Sequence, residues 1–303
     1  MPSFAVSGVA QLTRGSLALL PIAALVACMA DGRSFDAAAV PPDVILPIEL
    51  ADARAYAQVK VNGAGPYRFL IDTGASGMGR VDTRLVQALA LPLAGEGQNS
   101  DGVTVTPIAL VRVGTLALGG LRRNDLELPS RDYNGGRTSG AMTQGLIGRD
   151  FFADGLVELD FSAGTLRYST ADRLDASDPQ VLAYDRPFRI PIRIGEVTME
   201  GNLDTGSSLT LHLPRTMLEH IATGPLEETG QARRANTVFQ LFRTKLRDPV
   251  YIGGLVVTDV EVYVSDQVQQ VNIGAGLLKD ATVAFDQRAR LVRVRPSPAR
   301  PEG

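Results

Sequence analysis

The tripeptide Asp-Thr-Gly occurs twice in this chain, each time at the end of an apolar run. The first copy reads Phe69-Leu70-Ile71-Asp72-Thr73-Gly74-Ala75-Ser76, and the second Gly201-Asn202-Leu203-Asp204-Thr205-Gly206-Ser207-Ser208. Two carboxylates held close together cannot both ionise, so one pKa rises and the pair shares a proton. Such a pair can hydrolyse a peptide bond without a metal or a covalent intermediate. The ionised member takes a proton from a water held between them, and the protonated member donates to the carbonyl oxygen. A duplicated half-domain is the simplest way to set two identical carboxylates face to face.

Composition leaves carboxylates as the main chemical resource. The chain has 303 residues but only two histidines and one cysteine. That argues against a zinc site, which needs converging His and Cys ligands. His212 and His220 leave a Ser-His or Cys-His nucleophile poorly supplied. No metal and no cofactor is expected. The formal charge of −3 offers no excess of Lys and Arg for phosphate contacts, so no nucleic-acid partner is expected. Hydrophobic residues at 45% and charged residues at 21% describe a globular chain, long enough for two domains.

The elements that would position the two aspartates repeat. Leu118-Gly119-Gly120-Leu121 through Asp125 and Glu127 matches Ile252-Gly253-Gly254-Leu255 through Asp259 and Glu261. The run from Gly148 to Tyr168 matches Gly274 to Val294 without a gap. With the Asp-Thr-Gly pair, these matches share one order and a nearly constant offset, which indicates a duplicated unit of about 125 residues. Each unit reads as β-structure. Period-2 alternation marks strands over Ala55 to Val61 and Arg189 to Ile194. Asn62-Gly63 and Gly119-Gly120 supply hairpin turns, and Ser162-Ala163-Gly164 closes a third hairpin. Thr83 to Leu91 is a candidate helix capped by Asp82 or Thr83, with Pro214 to Ile221 in the matching place. The expected organisation is one lobe over residues 44–172, a polar link over 173–183, a second lobe over 184–296 and a tail over 297–303.

The amino terminus reads as a targeting segment. Arg14 is the only charged residue before Asp31, and an apolar stretch follows from Ser16 to Ala27. It suits a signal-peptide core over residues 1–27 and is shorter than the roughly 20 residues a spanning helix needs. Leu25-Val26-Ala27-Cys28 resembles a bacterial lipobox, in which the cysteine is lipidated and becomes the new first residue. An ordinary secretory signal cleaved at Ala27 or Ala30 is the alternative. Either route exports the protein, and lipidation at Cys28 would anchor it to a membrane surface through a tether over residues 28–43.

These motifs resemble the bacterial single-chain aspartic proteases of the pepsin/retropepsin superfamily, over residues 44–296. In that superfamily each lobe carries an Asp-Thr-Gly motif and, later, an apolar-apolar-Gly segment. Leu146-Ile147-Gly148-Arg149-Asp150 and Asn272-Ile273-Gly274-Ala275-Gly276 stand in that second place. The resemblance implies an all-β bilobal fold, two β-barrel-like lobes with the cleft between them. It implies an aspartic endopeptidase with Asp72 and Asp204 catalytic and a peptide or protein as substrate. Because both lobes lie in one chain, the monomer would be complete. A non-catalytic peptide-binding or envelope-assembly lipoprotein of the same fold is the alternative.

The resemblance also assigns supporting roles. Thr73 and Thr205 would bond across to the opposite loop, while Gly74 and Gly206 would permit close approach. No tyrosine lies between Tyr67 and Tyr133, so the pepsin flap tyrosine is missing. Gly-rich flaps of the retropepsin kind would instead involve Gly97, Gln98 and Gly102 in lobe one, and Gly230 and Gln231 in lobe two. Ser207, opposite Ala75, would donate a hydrogen bond to Asp204. That would make Asp204 the ionised member and Asp72 the proton carrier, at a working pH less acidic than pepsin's.

Overall fold

The computed structural model describes residues 43–100, 105–135, 142–233 and 238–298. Cys28, Asp101 and Gly102 lie outside the described residues, as does the whole amino-terminal segment through residue 42. The described chain is built from three sheets, one for each lobe and one shared between them. This is the all-β bilobal architecture that the duplicated pattern implies.

The two lobe sheets are assembled alike around their Asp-Thr-Gly strands. In lobe one Ala64–Asp72 runs parallel to Gly145–Gly148, with Asp72 opposite Gly148. In lobe two Val197–Asp204 runs parallel to Val271–Gly274, with Asp204 opposite Gly274. The next strand follows the same rule: Gly79–Asp82 and Leu211–Pro214 each lie antiparallel to the apolar-apolar-Gly strand. Each also lies parallel to a later strand, Leu121–Arg131 or Glu261–Ser265. The turns fall where glycine permits a left-handed backbone. Gly63, Gly119 and Gly253 have φ of 82°, 55° and 55°, values that suit tight hairpins.

The shared sheet joins the lobes through equivalent residues. Leu156–Asp160 pairs antiparallel with Ala281–Asp286, and Glu158 sits opposite Ala284, its counterpart in the repeat. An approximate twofold axis therefore passes through this pair. Leu159, Leu166, Val283 and Phe285 are buried and belong to one continuous core. That core also holds Phe69 and Ile71 of lobe one and Leu203 and Ile273 of lobe two. Polar contacts add to the joint. Gln287 Nε2 donates to the Arg149 carbonyl at 2.7 Å, and Arg288 Nη2 donates to the Asp172 carbonyl at 2.6 Å.

Three local expectations change. The helix covers only Thr83–Ala88, with Asp82 Oδ1 accepting from the Arg84 N–H at its N-cap. It stops because Ala90 adopts a φ of 49° ahead of Pro92, which cannot continue a helix. In lobe two the matching segment is a short 3₁₀ turn, Arg215–Glu219, entered directly from Pro214. The link between the lobes is not wholly irregular either. Val181–Ala183 forms an edge strand of the shared sheet by pairing with Leu291–Pro296, and Val181 and Leu182 are half-buried there.

Candidate active site

Both Asp-Thr-Gly loops leave their strands at the same height and turn toward each other. Within each loop the N–H of the residue after Gly donates to the Asp carbonyl at 3.3 Å, from Ala75 to Asp72 and from Ser207 to Asp204. The apolar-apolar-Gly segments clamp the loops from behind. Arg149 N–H donates to the Ala75 carbonyl at 3.0 Å, and Ala275 N–H donates to the Ser207 carbonyl at 2.8 Å. Gly148 and Gly274 are required there. A β-carbon would stand 2.3 Å from the Gly77 carbonyl oxygen or 2.1 Å from that of Leu209.

The loops are locked together by a reciprocal set of four hydrogen bonds. Thr73 N–H donates to Thr205 Oγ1 at 3.0 Å, and Thr205 N–H donates to Thr73 Oγ1 at 3.1 Å. Each hydroxyl in turn donates to the strand before the opposite Asp: Thr73 to the Leu203 carbonyl at 3.3 Å, and Thr205 to the Ile71 carbonyl at 2.8 Å. Both threonines are buried, so these groups have no solvent alternative.

This lock presses each glycine against the carboxylate of the other lobe. A β-carbon at Gly74 would lie 2.6 Å from Asp204 Oδ1, and one at Gly206 would lie 2.5 Å from Asp72 Cγ. No larger residue fits at either place. The proximity has an electrostatic result. Burial, followed by the charge of Asp204, pushes the Asp72 carboxyl up to about 7. Arg80 and the backbone N–H groups of Ala75 and Gly74 oppose that rise. The pair titrates as one coupled unit, with a proton retained on it through the mildly acidic range.

The side chains around the two aspartates differ. Ser207 does not act as the resemblance implies: among the described residues no hydrogen bond joins its hydroxyl to Asp204. Asp204 takes its side-chain hydrogen bonds from two other groups. Oδ1 accepts from the Gly206 N–H at 3.0 Å, and Oδ2 accepts from Asn272 Nδ2 at 3.1 Å. In lobe one Asp72 Oδ1 accepts from the Ala75 N–H at 3.0 Å, and Leu146 stands where Asn272 stands in lobe two. Leu146 packs with Tyr56, Leu70 and Ala75, and Tyr133 lies against that cluster. Tyr133 Oη and Arg80 Nε are buried with no hydrogen-bond partner among the described residues. Burial pushes the Tyr133 phenol up to about 12.

Other titratable residues take structural places. His212 is buried, with Nε2 2.8 Å from Ser265 Oγ and its ring stacked on Phe239 at 5.5 Å. Asp150 Oδ2 accepts from the Gly77 N–H at 2.8 Å, and Asp154 Oδ1 accepts from the Tyr168 hydroxyl at 2.6 Å. The start of the loop after Pro129 is clamped, since Tyr133 N–H and Asn134 Nδ2 both donate to Asp82 Oδ2. Gly97 and Gln98 lie in a hairpin formed by Leu93–Ser100 and Val105–Leu118. Gly230 and Gln231 lie in its counterpart, Glu227–Arg233 with Val238–Lys245. Among the described residues no cluster of three or more His, Cys, Asp or Glu is placed to hold a metal.

A doubled acid-protease lobe with paired Asp-Thr-Gly loops defines the class, and comparison of the sequence with known families agrees. The aspartyl protease family matches the chain twice, over residues 57–151 and 190–278. The chain belongs to the retropepsin-like aspartyl proteases. No curated protein matches it.

Two measurements follow from the site. Thr205→Val leaves the Thr73 N–H and the Ile71 carbonyl without their partner. It should lower unfolding stability in urea by about 2–6 kcal/mol, at roughly 1–3 kcal/mol for each of the two buried unpaired groups. Thr205→Ser should lose much less. The raised pKa of Asp72 means that the folded state binds more protons than the unfolded state between about pH 4 and about pH 7. Its stabilising contribution is complete below the unfolded carboxyl pKa and is lost as pH rises through about 7. The thermal midpoint should therefore fall across that window, and Asp72→Asn should flatten the slope. An equal slope in the variant would show that other groups set it.

Proposed function

We propose that this chain is an aspartic endopeptidase that hydrolyses peptide bonds with a water activated between Asp72 and Asp204. The observation that carries this reading is the contact of each loop glycine with the opposite carboxylate. It is supported by the elevated pKa of Asp72, which keeps one proton available for the scissile carbonyl near neutral pH. In this mechanism Asp204 takes a proton from the water and Asp72 gives one to the carbonyl oxygen. No cofactor enters the scheme. A peptide strand would lie across the two loops beneath the paired hairpins, with Gly97, Gln98, Gly102, Gly230 and Gln231 as flap residues. With both lobes in one chain, a monomer suffices.

The proposal extends to location. Residues 1–27 would direct export, and lipidation of Cys28 would hold the enzyme at a bacterial membrane facing the periplasm. Among the described residues no helix is long and apolar enough to cross a membrane. A lipid at Cys28 needs none.

Digestion of a peptide library across about pH 3 to 8 tests the activity. Wild type should cleave, while Asp72→Asn and Asp204→Asn should each lose about 10³-fold or more, the upper range for a general acid or base. Since Asp72 must hold its proton, the rate should fall as pH rises through about 7. Absence of cleavage at every pH would favour the non-catalytic peptide-binding or envelope-assembly reading. For the anchor, Cys28→Ser should move the protein from the membrane fraction to the soluble exported fraction. Unchanged membrane association of that variant would rule the lipid anchor out.

A further inference from the structure

The two lobes supply nearly the same backbone to Asp72 and Asp204, but not the same neighbours. Strand register shows why. Asn272 lies two residues before Gly274, which sits opposite Asp204, so Asn272 and Asp204 share one face of the sheet. Its Nδ2 reaches Asp204 Oδ2 at 3.1 Å. Leu146 has the same relation to Gly148 and Asp72, and it has no donor to offer. The neighbouring pairs differ in the same sense. Leu70 in lobe one corresponds to Asn202 in lobe two, whose Nδ2 bonds Gln270 Oε1 at 3.1 Å.

The consequence lies in hydrogen-bond capacity. An ionised carboxylate only accepts, whereas a carboxylic acid must place its own hydrogen on an acceptor. Asp204 receives a donor at each oxygen, Gly206 N–H at Oδ1 and the Asn272 amide at Oδ2. That arrangement suits a carboxylate, which accepts at both oxygens. Among the described residues Asp72 accepts only from backbone N–H groups, and Leu146 and Leu70 lie on its face of the sheet. Arg80 and Tyr133 also face it; the Arg80 charge favours the ionised form, but by less than burial and the Asp204 charge oppose it. A proton shared by the pair is therefore better placed on Asp72.

We propose that Asn272 is a positioning residue that keeps Asp204 as the ionised, water-activating member and so assigns the proton to Asp72. This rests on the dyad mechanism above, but the proton assignment can be read without turnover. The amide takes the role that the resemblance gives to the Ser207 hydroxyl, reaching the carboxylate from an adjacent strand and not from the loop itself.

The test uses the full chain, labelled with carboxyl ¹³C aspartate, as wild type, Asn272→Leu and Asn272→Ala. Leu copies lobe one and Ala removes the donor with a smaller side chain, so one of the pair should fold even if the other packs badly. The two signals are assigned with Asp72→Asn and Asp204→Asn. In wild type the Asp204 carboxyl should show the ionised shift at a pH where Asp72 is still protonated. In either Asn272 variant that difference should shrink as the proton spreads over both. On a library peptide that wild type cleaves, the acid limb of kcat should move up by about one pH unit with KM little changed, the size expected for one lost charge-assisted hydrogen bond. A purely structural Asn272 would change the thermal midpoint and leave both the carboxyl shifts and the limb in place. Wild-type spectra with the proton on Asp204, or variants indistinguishable from wild type, would overturn the proposal. An unequal carboxyl pair in a chain that cleaves nothing would uphold the proton assignment and sink the protease reading instead.

Discussion

Everything in the site depends on the exchange of hydrogen bonds between Thr73 and Thr205. Each threonine uses its N–H and its hydroxyl on the opposite loop, and both are buried. A loop displaced by even an ångström would leave several of these groups unpaired, at a cost of a few kcal/mol. The lock fixes how far the glycines penetrate, and the glycines fix how close the carboxylates stand. After the larger effect of burial, the part of the Asp72 pKa rise that comes from the Asp204 charge is thus an outcome of hydrogen bonds that never touch its side chain. Two carboxylates would not choose this proximity. The fold holds them there with interactions that cannot be satisfied elsewhere.

The threonine exchange needs support at longer range. Two small loops cannot set the relation of two lobes unless the lobes are already registered. The shared sheet does this by pairing Glu158 with Ala284, equivalent residues of the repeat. Glu158 also accepts from Arg293 at 2.8 Å, which ties the two halves of that sheet by charge as well as by backbone. The same approximate axis relates Thr73 and Thr205. Core packing through Leu159, Val283 and Phe285 transmits the register from the sheet to the strands that end in the two aspartates.

Much of this can be read from the residues alone, for reasons that differ by element. Strands such as Arg189–Ile194 announce themselves because side chains alternate between core and solvent. Gly63, Gly119 and Gly253 mark turns because only glycine enters their backbone region without strain. The dyad is legible because both copies of its tripeptide survive. Asn272 is not, because its role depends on which strand lies beside the Asp204 strand, a contact across 68 residues. Ser207 looks like the natural partner since it is adjacent in sequence, and adjacency is the only distance a sequence reports. Tyr133 and Arg80 are hidden for the same reason. They reach the Asp72 side through the parallel pairing of Gly79–Asp82 with Leu121–Arg131.

A single chain with two lobes can do what two identical chains cannot. In a symmetric dimer, one residue position serves both sites, so any donor offered to one aspartate is offered equally to the other. Such a pair can break its proton symmetry only through substrate or thermal fluctuation. Here the positions have separated: Leu146 and Asn272 occupy equivalent strand sites, as do Arg80 and His212. The backbone geometry that brings the carboxylates together is kept, because altering Thr73, Thr205, Gly74 or Gly206 in one lobe would disturb the other. The flanking face carries no such constraint and is free to diverge. Duplication therefore preserves proximity through the loops and permits inequality through the neighbouring strands, so that the two carboxylates can differ in the free chain.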